Sequence, residues 1–178
     1  MKRAIPALLL LAAPLAAKAV CAQDRPLEVV PSVDLARYLG TWYEIATIPQ
    51  SFQKGCVGVT ARYALRDDGD IDVVNTCHKD TLDGKVRSVH GKAWVTDAST
   101  RAKLRVRFFW PFSGAYWIIG LDPEYRWAVV GHPSRAYLWI LSRTPRMDAT
   151  LYDDLIHRVA SNGYDTALIK KTLQPPGR

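Results

Sequence analysis

The chain has 178 residues, of which 48% are hydrophobic and 23% are charged, with 11 glycines and 11 prolines. This composition fits one globular domain with a full-sized core and argues against a disordered, collagen-like or multidomain protein. The formal net charge is +7, but the sequence has no dense basic stripe and no zinc-ligand spacing, so we expect no nucleic-acid partner.

The N-terminus has the pattern of a secretory signal peptide. Lys2 and Arg3 precede an apolar run at residues 4–17, which is too short and too rich in proline to span a bilayer well. We expect residues 1–22 to be the signal peptide. Its removal takes away three basic residues, lowers the net charge from +7 to +4, and leaves a surface compatible with weak attraction to anionic lipids.

Cys21 is a candidate site for a lipid anchor to the outer membrane. A lipid anchor on this cysteine would require a small residue directly before it and no charge nearby, whereas Val20 and Lys18 occupy those positions. We therefore expect an exported, periplasmic protein, with outer-membrane anchoring through Cys21 as the alternative.

Two cysteines, Cys56 and Cys77, remain after the signal peptide is removed. An even number of cysteines in an exported chain favours a disulfide, and two unpaired buried thiols are the alternative. No histidine lies at zinc-ligand spacing from either cysteine, so we expect no metal site and no cofactor.

After a linker expected at residues 23–33, the chain consists of short apolar runs separated by turn residues, as in an antiparallel sandwich or barrel. In the fifth run Leu104, Val106 and Phe108 alternate with basic residues, so one face is wet and the other buried. Such half-buried strands favour an up-and-down barrel. The eight predicted strands span residues 41–49, 57–66, 71–78, 86–96, 103–109, 115–122, 126–132 and 136–142.

One helix is predicted after the strands. Thr144-Pro145 provides a cap and a first-turn proline, apolar residues recur every fourth position from Leu151 to Val159, and Gly163 suits the helix end. The sequence therefore predicts an all-β fold: an eight-stranded antiparallel up-and-down β-barrel with one C-terminal α-helix packed outside. A short strand is expected within residues 166–172, and the domain is expected to span 34–174 with a tail at 175–178.

Three segments resemble the signature regions of the lipocalins. They are Gly40-Thr41-Trp42, Leu121-Asp122-Pro123-Glu124-Tyr125-Arg126 and Tyr137-Leu138-Trp139-Ile140-Leu141-Ser142-Arg143. The longer strings at 38–45, 65–69 and 141–145 look like the bacterial outer-membrane lipoprotein lipocalins, relatives of apolipoprotein D. The resemblance covers about residues 34–174 and implies a lipocalin calyx that carries a lysophospholipid or fatty acid for membrane maintenance of the bacterial envelope, without enzymatic activity.

Strand alternation brings several of these motif residues to the same lower rim. We expect an arginine guanidinium to stack on an indole face there, to donate to nearby carbonyls and to seal the barrel. The predicted barrel-closing residues, with a structural rather than ligand-binding role, are Gly40, Trp42, Asp122, Tyr125 and Arg143.

The inward faces of the strands form the predicted ligand site, because an eight-stranded barrel is wide enough for one small ligand. An apolar cup with few polar groups at its mouth suits an acyl chain whose headgroup stays near water. The predicted ligand-binding residues are Trp139, Tyr137, Tyr63, Asn75, Val73, Val106, Phe108 and Ala61. Glu44 shares the parity of Trp42, and whether it meets a ligand or a structural arginine is left open.

Two other functions are compatible with this pattern. One is a structural envelope protein whose barrel is completely filled. The other is a lipocalin-fold enzyme that uses a reduced Cys56 at the barrel mouth as a nucleophile. The redox state of the two cysteines separates the enzyme from the carrier.

Four loops are expected at the upper rim, together with both cysteines, which a bulge near Gly55 or Gly58 would bring into register. Phe109, Trp110 and Phe112 lie on one of these loops. They are predicted either to fold inward as a lid or to contact a membrane or a second copy in a homodimer. The basic residues expected near lipid phosphates are Lys54, Lys79, Lys85 and Arg135.

Overall fold

The structure is a computed structural model that describes residues 25–176. The predicted signal peptide at 1–22, with Cys21, lies outside the described residues, as do residues 177–178 of the predicted tail. Within the described range, no helix is both long enough and apolar enough to cross a membrane.

Eight antiparallel strands close into a barrel, which confirms the predicted fold class. Each strand pairs with its neighbours in sequence, and the first strand pairs with both the second and the eighth, so the sheet closes on itself. The strands are β1 (Gly40–Thr47), β2 (Cys56–Leu65), β3 (Ile71–Lys79), β4 (Val86–Val95), β5 (Lys103–Phe109), β6 (Phe112–Leu121), β7 (Trp127–Gly131) and β8 (Leu138–Ser142).

The β5–β6 hairpin is longer than the sequence predicts. The predicted sixth strand starts at residue 115, whereas β6 starts at Phe112 because Phe112 pairs with Phe109 at the end of β5. Only Trp110 and Pro111 connect the two strands. The aromatic segment is therefore the tip of a hydrogen-bonded hairpin rather than an extended loop.

Two α-helices flank the strands within residues 25–176. The short helix α1 (Leu35–Tyr38) is absent from the sequence prediction, and the Asp34 carboxylate caps it by accepting from the Ala36 amide at 2.9 Å. It directly precedes β1 and lies at the lower end of the barrel.

The long helix α2 (Ala149–Ser161) packs outside the barrel, as predicted. Its predicted start at Thr144-Pro145 is wrong, because Asp148 is the cap: its carboxylate accepts from the Leu151 amide at 3.1 Å. Gly163 follows the helix with φ of +83°, the left-handed conformation expected of a glycine at a helix end.

Alternation along the strands divides the apolar residues into an inner and an outer core. On β8, Leu141 belongs to the inner core and Leu138 and Ile140 to the outer one. The outer core lies under α2 and includes Leu155 and Val159, which are 1% exposed and anchor the helix. The inner core fills the lower half of the barrel.

The N-terminal segment packs onto the barrel. Leu27 and Val33, within the region expected to be a linker, are 5% and 3% exposed. The Val33 amide donates to the Thr100 carbonyl at 2.8 Å, and the Val30 amide donates to Ile118 at 3.0 Å. Residues 25–33 thus contribute to the apolar core instead of standing apart from it.

The C-terminal segment completes the upper wall. Above Tyr43, β1 leaves β2 and pairs with β8 and with the short strand β9 (Lys170–Lys171), which agrees with the strand expected within 166–172. The Leu173 carbonyl then accepts from the Gly58 amide of β2 at 2.7 Å. Residues 170–174 therefore bridge the seam that opens between β1 and β2.

A disulfide joins Cys56 of β2 to Cys77 of β3, with a Cα–Cα distance of 5.4 Å, as predicted. The register of the two strands shifts between Val57 and Thr60, around Gly58, whose φ is +57°. The predicted bulge is therefore present at Gly58, and it places the cysteines close enough to bond.

Candidate functional site

Arg143, directly after β8, closes the lower end of the barrel. Its guanidinium carbon lies 3.8 Å from the centroid of the Trp42 ring. The same group donates to the carbonyls of Thr41 at 3.0 Å, Arg37 at 2.7 Å and Tyr125 at 3.2 Å. One side chain thus ties β1, α1 and the β6–β7 turn to the last strand of the barrel, and burial lowers its pKa.

The other residues predicted at this base shape the chain around the guanidinium. Gly40 has φ of +94°, and a Cβ there would lie 3.4 Å from the Arg143 Nη1 atom. The Tyr125 hydroxyl accepts from the Asp34 amide at 2.8 Å. Asp122 accepts from the side chain of Arg126 at 2.8 Å, which lowers the pKa of this carboxyl. The structure therefore brings the five predicted residues to one end of the barrel.

A layer of aromatic residues lies above this base and forms a floor inside the barrel. The Tyr116 hydroxyl is 2.7 Å from the Tyr38 hydroxyl and 2.9 Å from the Tyr63 hydroxyl. Burial raises the pKa of all three, that of Tyr63 to about 12, so the hydroxyls stay protonated and share their hydrogens. Trp42 is fully buried beside them. The lower half of the barrel is therefore packed.

Two of the predicted ligand-binding residues belong to this floor. Tyr63 and Val73 are 7% and 2% exposed and lie in the inner core. Their position limits them to contact with the deepest part of a ligand. Strand parity predicts their inward direction correctly but does not reveal their depth.

The other predicted ligand-binding residues line the upper half, where inward side chains are only partly covered. They are Ala61, Asn75, Val106, Phe108, Tyr137 and Trp139. The Tyr137 and Trp139 rings are stacked, with centroids 6.2 Å apart. Because residues on the inside of a closed barrel reach solvent only through its mouth, their exposure indicates a cup above the aromatic floor.

Two glycines on the inward faces give this cup its width. A Cβ on Gly91 would lie 2.6 Å from the Phe108 ring, so this ring lies flat against the wall. Gly114 is inward because it pairs with Val106, and a Cβ there would meet nothing within 4 Å. The space beside Gly114 is therefore open. Neither glycine is among the residues predicted from the sequence, although strand parity alone places both on the inner face.

Glu44 is buried in the wall of the barrel, opposite Leu141. Its carboxylate accepts from the Thr172 hydroxyl at 2.6 Å and from Gln53 Nε2 at 2.9 Å. Its partners are therefore neutral groups of the C-terminal segment and the β1–β2 loop, and not a structural arginine. Burial raises its pKa against the opposing effect of these hydrogen bonds.

Basic side chains surround the mouth, but only some are free to meet an anion. Lys79 pairs with Asp80 at 2.8 Å, and Arg135 donates to the Asn162 carbonyl at 2.6 Å, so both have structural partners. Lys54 and Lys85 form no ion pair with any described residue. Arg87, which the sequence analysis missed, pairs with Cys77 across the β3–β4 ladder and shares its inward direction.

A cleft of about 320 Å³ lies outside the barrel, between α2 and strands β6 and β7. Its lining includes Trp127, Val129, Leu155 and Arg158. Trp127, Val129 and Leu155 are part of the outer core that attaches the helix. Among residues 25–176, no cluster of side chains has the composition of a metal site.

Comparisons with known proteins agree with this geometry. A family model described as a lipocalin-like domain matches residues 33–174. The outer membrane lipoprotein Blc of Escherichia coli (strain K12) is 44% identical over 151 residues, which cover 85% of this chain and 85% of that protein. Apolipoprotein D of Bos taurus is 36% identical over 124 residues, covering 66% of this chain and 64% of the bovine protein.

Among solved structures, insecticyanin from the tobacco hornworm Manduca sexta matches with a TM-score of 0.66 and 18% identity, covering 86% of this chain and 85% of that one. At this identity the likeness supports the fold alone. None of these three proteins is named as an enzyme.

The base of the barrel generates a stability prediction. Trp42→Ala should lower the free energy of unfolding by about 3 to 5 kcal/mol, because it opens a cavity under the floor. Arg143→Met should also destabilise, because the carbonyls that it serves lose their donor. Urea unfolding measures both effects. Trp94→Ala, a half-buried tryptophan on the outer face, is the matched control and should cost less. A Trp42→Ala variant as stable as the parent would contradict the packed base.

Glu44 generates a prediction about pH. Its pKa is raised in the folded state, so the stability that it contributes is present below its ordinary pKa and is lost as the pH rises through the folded value. Glu44→Gln removes this loss, and the Gln53 amide can turn its unpartnered oxygen toward the new amide. The melting temperature of the variant relative to the parent should therefore increase from about pH 4 to about pH 7. A difference that is constant with pH would show that Glu44 does not titrate as described.

Proposed function

The chain belongs to the lipocalin family, and on that premise we propose that it binds a lipid with a single acyl chain, a lysophospholipid or a fatty acid, in the upper half of its barrel. The observation that carries the proposal is the open, apolar inner wall above a sealed floor. The acyl chain lies against Val106, Phe108 and Trp139, and the headgroup stays at the mouth.

The depth of the floor limits the ligand. Below the cup, the tyrosine hydroxyls of Tyr38, Tyr63 and Tyr116 satisfy one another, and Trp42 beside them is fully buried. A single flexible chain fits a short apolar cup with few polar groups better than a rigid polar metabolite does. Asn75 adds a polar group to the wall: its side-chain oxygen is buried without a hydrogen-bond partner among the described residues.

The mouth suits a phosphate or carboxylate headgroup. Arg87 at the start of β4 shares the inward direction of the cup, and Lys54 and Lys85 flank it on neighbouring loops. A guanidinium and two ammonium groups without carboxylate partners attract an anion more strongly than paired ones do. A neutral sterol would make no use of them.

The proposed setting is the bacterial envelope, where the protein stores or transports lipid for membrane maintenance. Support comes from the relative named as an outer membrane lipoprotein and from the signal-peptide pattern at residues 1–22. We propose a periplasmic location, with attachment to the outer membrane through Cys21 as the alternative.

The two competing functions have different observable features. The enzyme requires a free thiol at Cys56, and the disulfide to Cys77 occupies that sulfur. The structural protein requires a filled barrel, whereas Val106, Phe108 and Trp139 on the inner wall are only partly buried, and the space beside Gly114 near the mouth is open. A lipid carrier is consistent with both observations.

Native mass spectrometry of the protein purified without detergent tests the proposal directly. We expect species heavier than the polypeptide by the mass of one lysophospholipid or fatty acid, and a saturable heat change on titration with lysophospholipid into delipidated protein. Consistent absence of both signals would refute lipid binding and favour the filled structural barrel.

Substitutions at Trp139 and Gly114 test whether the upper half of the barrel is the lipid-binding site. Trp139→Ala should weaken lysophospholipid binding by about tenfold or more, because a large apolar wall group is lost. Gly114→Leu should block binding by filling the open space, and it should leave the fold intact because nothing lies within 4 Å of the new Cβ. Isothermal titration calorimetry measures both affinities.

The matched controls lie on the outward face. Trp94→Ala and Ala115→Leu change the same kinds of side chain on the outside of the barrel, and both should leave the affinity unchanged. If Gly114→Leu bound lipid as tightly as Ala115→Leu, the cup would not be the binding site.

A further inference from the structure

We propose that the mouth of the barrel docks on an anionic phospholipid surface, with the tip of the β5–β6 hairpin inserted between the headgroups. The tip is Phe109, Trp110, Pro111 and Phe112. This inference concerns the outer surface of the protein and does not require the lumen to carry a lipid.

The first observation is the exposure of the hairpin tip. Phe109, Trp110 and Phe112 are 71%, 82% and 78% exposed. Phe108, the next residue along β5, lies against Gly91 on the inner wall instead. The tip therefore does not cover the cup as a lid, and its aromatic side chains extend beyond the rim.

The second observation is that other apolar groups are exposed at the same end. Phe52, on the β1–β2 loop, is 72% exposed, and Val86, at the start of β4, is 55% exposed. Strand direction puts both at the mouth with the hairpin tip. An apolar rim of this kind marks an interaction surface rather than ordinary solvent exposure.

The third observation is an asymmetry of charge between the two ends. The loops at the mouth contain two carboxylates, Asp80 and Asp83, and the first is paired with Lys79. The turns at the base contain six: Asp67, Asp68, Asp70, Asp97, Asp122 and Glu124. Four of these pair with basic side chains, but the base turns contain only three basic residues, so they keep a net charge of −3. An anionic surface therefore attracts the mouth and repels the base, which orients the barrel before contact.

The outer face of β5 continues this basic surface below the tip. Arg107 lies over the Trp94 ring at 5.7 Å, and Arg105 donates to the Ser113 hydroxyl at 2.8 Å. Neither forms an ion pair with a described residue. Arg107 is two residues from Phe109, a distance of about 7 Å along a strand. When the tip enters the acyl boundary, Arg107 is at the depth of the phosphates.

The observations favour a membrane over a second copy of the chain. A symmetric dimer through the mouth would gather Lys54, Lys85 and Arg87 of both copies into one interface, where their like charges repel. Three aromatic side chains expose a few hundred Å², which is less than the roughly 800 Å² per partner of a stable dimer. Binding to a lipid surface requires only the inserted hairpin tip and the basic residues around the mouth.

Flotation with vesicles tests the proposal. The protein is the predicted mature form, residues 23–178, which lacks Cys21, so that no acyl anchor contributes to binding. We expect it to bind vesicles of phosphatidylcholine with phosphatidylglycerol, to bind phosphatidylcholine vesicles much less, and to dissociate at high salt. Each basic residue near an anionic surface strengthens binding by about fivefold, so the difference between the two vesicles should exceed tenfold.

The double variant Trp110→Ser and Phe112→Ser isolates the tip. It should lose about tenfold or more of its vesicle binding, since two inserted apolar groups are removed, while its lysophospholipid affinity and melting temperature stay those of the parent. Leu65→Ser is the matched control: Leu65 is 63% exposed, but it lies at the closed end. This control should bind vesicles like the parent.

Each other outcome overturns the proposal. No vesicle binding by the parent, or equal binding by the double variant, removes the role of the tip. A parent that is dimeric by light scattering, with a monomeric double variant, would show that a second copy covers the tip. Loss of lysophospholipid affinity with unchanged vesicle binding would identify a lid. A parent that floats with vesicles but takes up no lysophospholipid would refute the lumen carrier and leave this docking surface intact.

Discussion

The Arg143 guanidinium lies against the Trp42 ring and connects the last strand of the barrel to the first. A closed sheet must join its first strand to its last, and here a side chain from the end of β8 lies 3.8 Å from the ring that β1 carries. The guanidinium also satisfies carbonyls of Thr41, Arg37 and Tyr125, which would otherwise be left at a buried chain end. Because α1 is held in the same cluster, Tyr38 is placed under the barrel as well.

The position of Tyr38 explains why the two halves of the barrel differ. Its hydroxyl meets Tyr116, which in turn meets Tyr63, and this layer closes the lumen at mid-height. Above the layer the inward residues are partly exposed, and Gly114 leaves open space. The acidic residues of the turns lie at this closed base, while basic and aromatic residues lie at the mouth. The proposed ligand site and the proposed docking surface thus share one end of the molecule.

Much of this architecture follows from the sequence because strand alternation is a local signal. Leu104, Val106 and Phe108 show which face of β5 is inward, and the parity of Trp42 and Arg143 is enough to bring them together. The depth of an inward residue is not local. Tyr63 belongs to the floor only because α1 folds under the barrel, and nothing in the strand pattern shows that. The start of α2 was mispredicted because Thr144 and Asp148 are both good caps, and tertiary packing chooses between them. The C-terminal bridge across the β1–β2 seam depends on Thr172 and Gln174, polar residues without periodicity.

We propose that an acyl chain occupies the upper half of the barrel and stops at the tyrosine floor. Methyl NMR of the delipidated protein, titrated with palmitoyl lysophosphatidylethanolamine, locates the bound chain. We expect the methyl signals of Ala61 and Val106 to shift strongly, those of Val33 and Ala102 in the packed base to shift little, and those of Val129 and Leu155 at the outer cleft not to shift. Strong shifts at Val129 and Leu155 with unchanged Ala61 and Val106 would place the ligand outside the barrel and refute binding in the lumen.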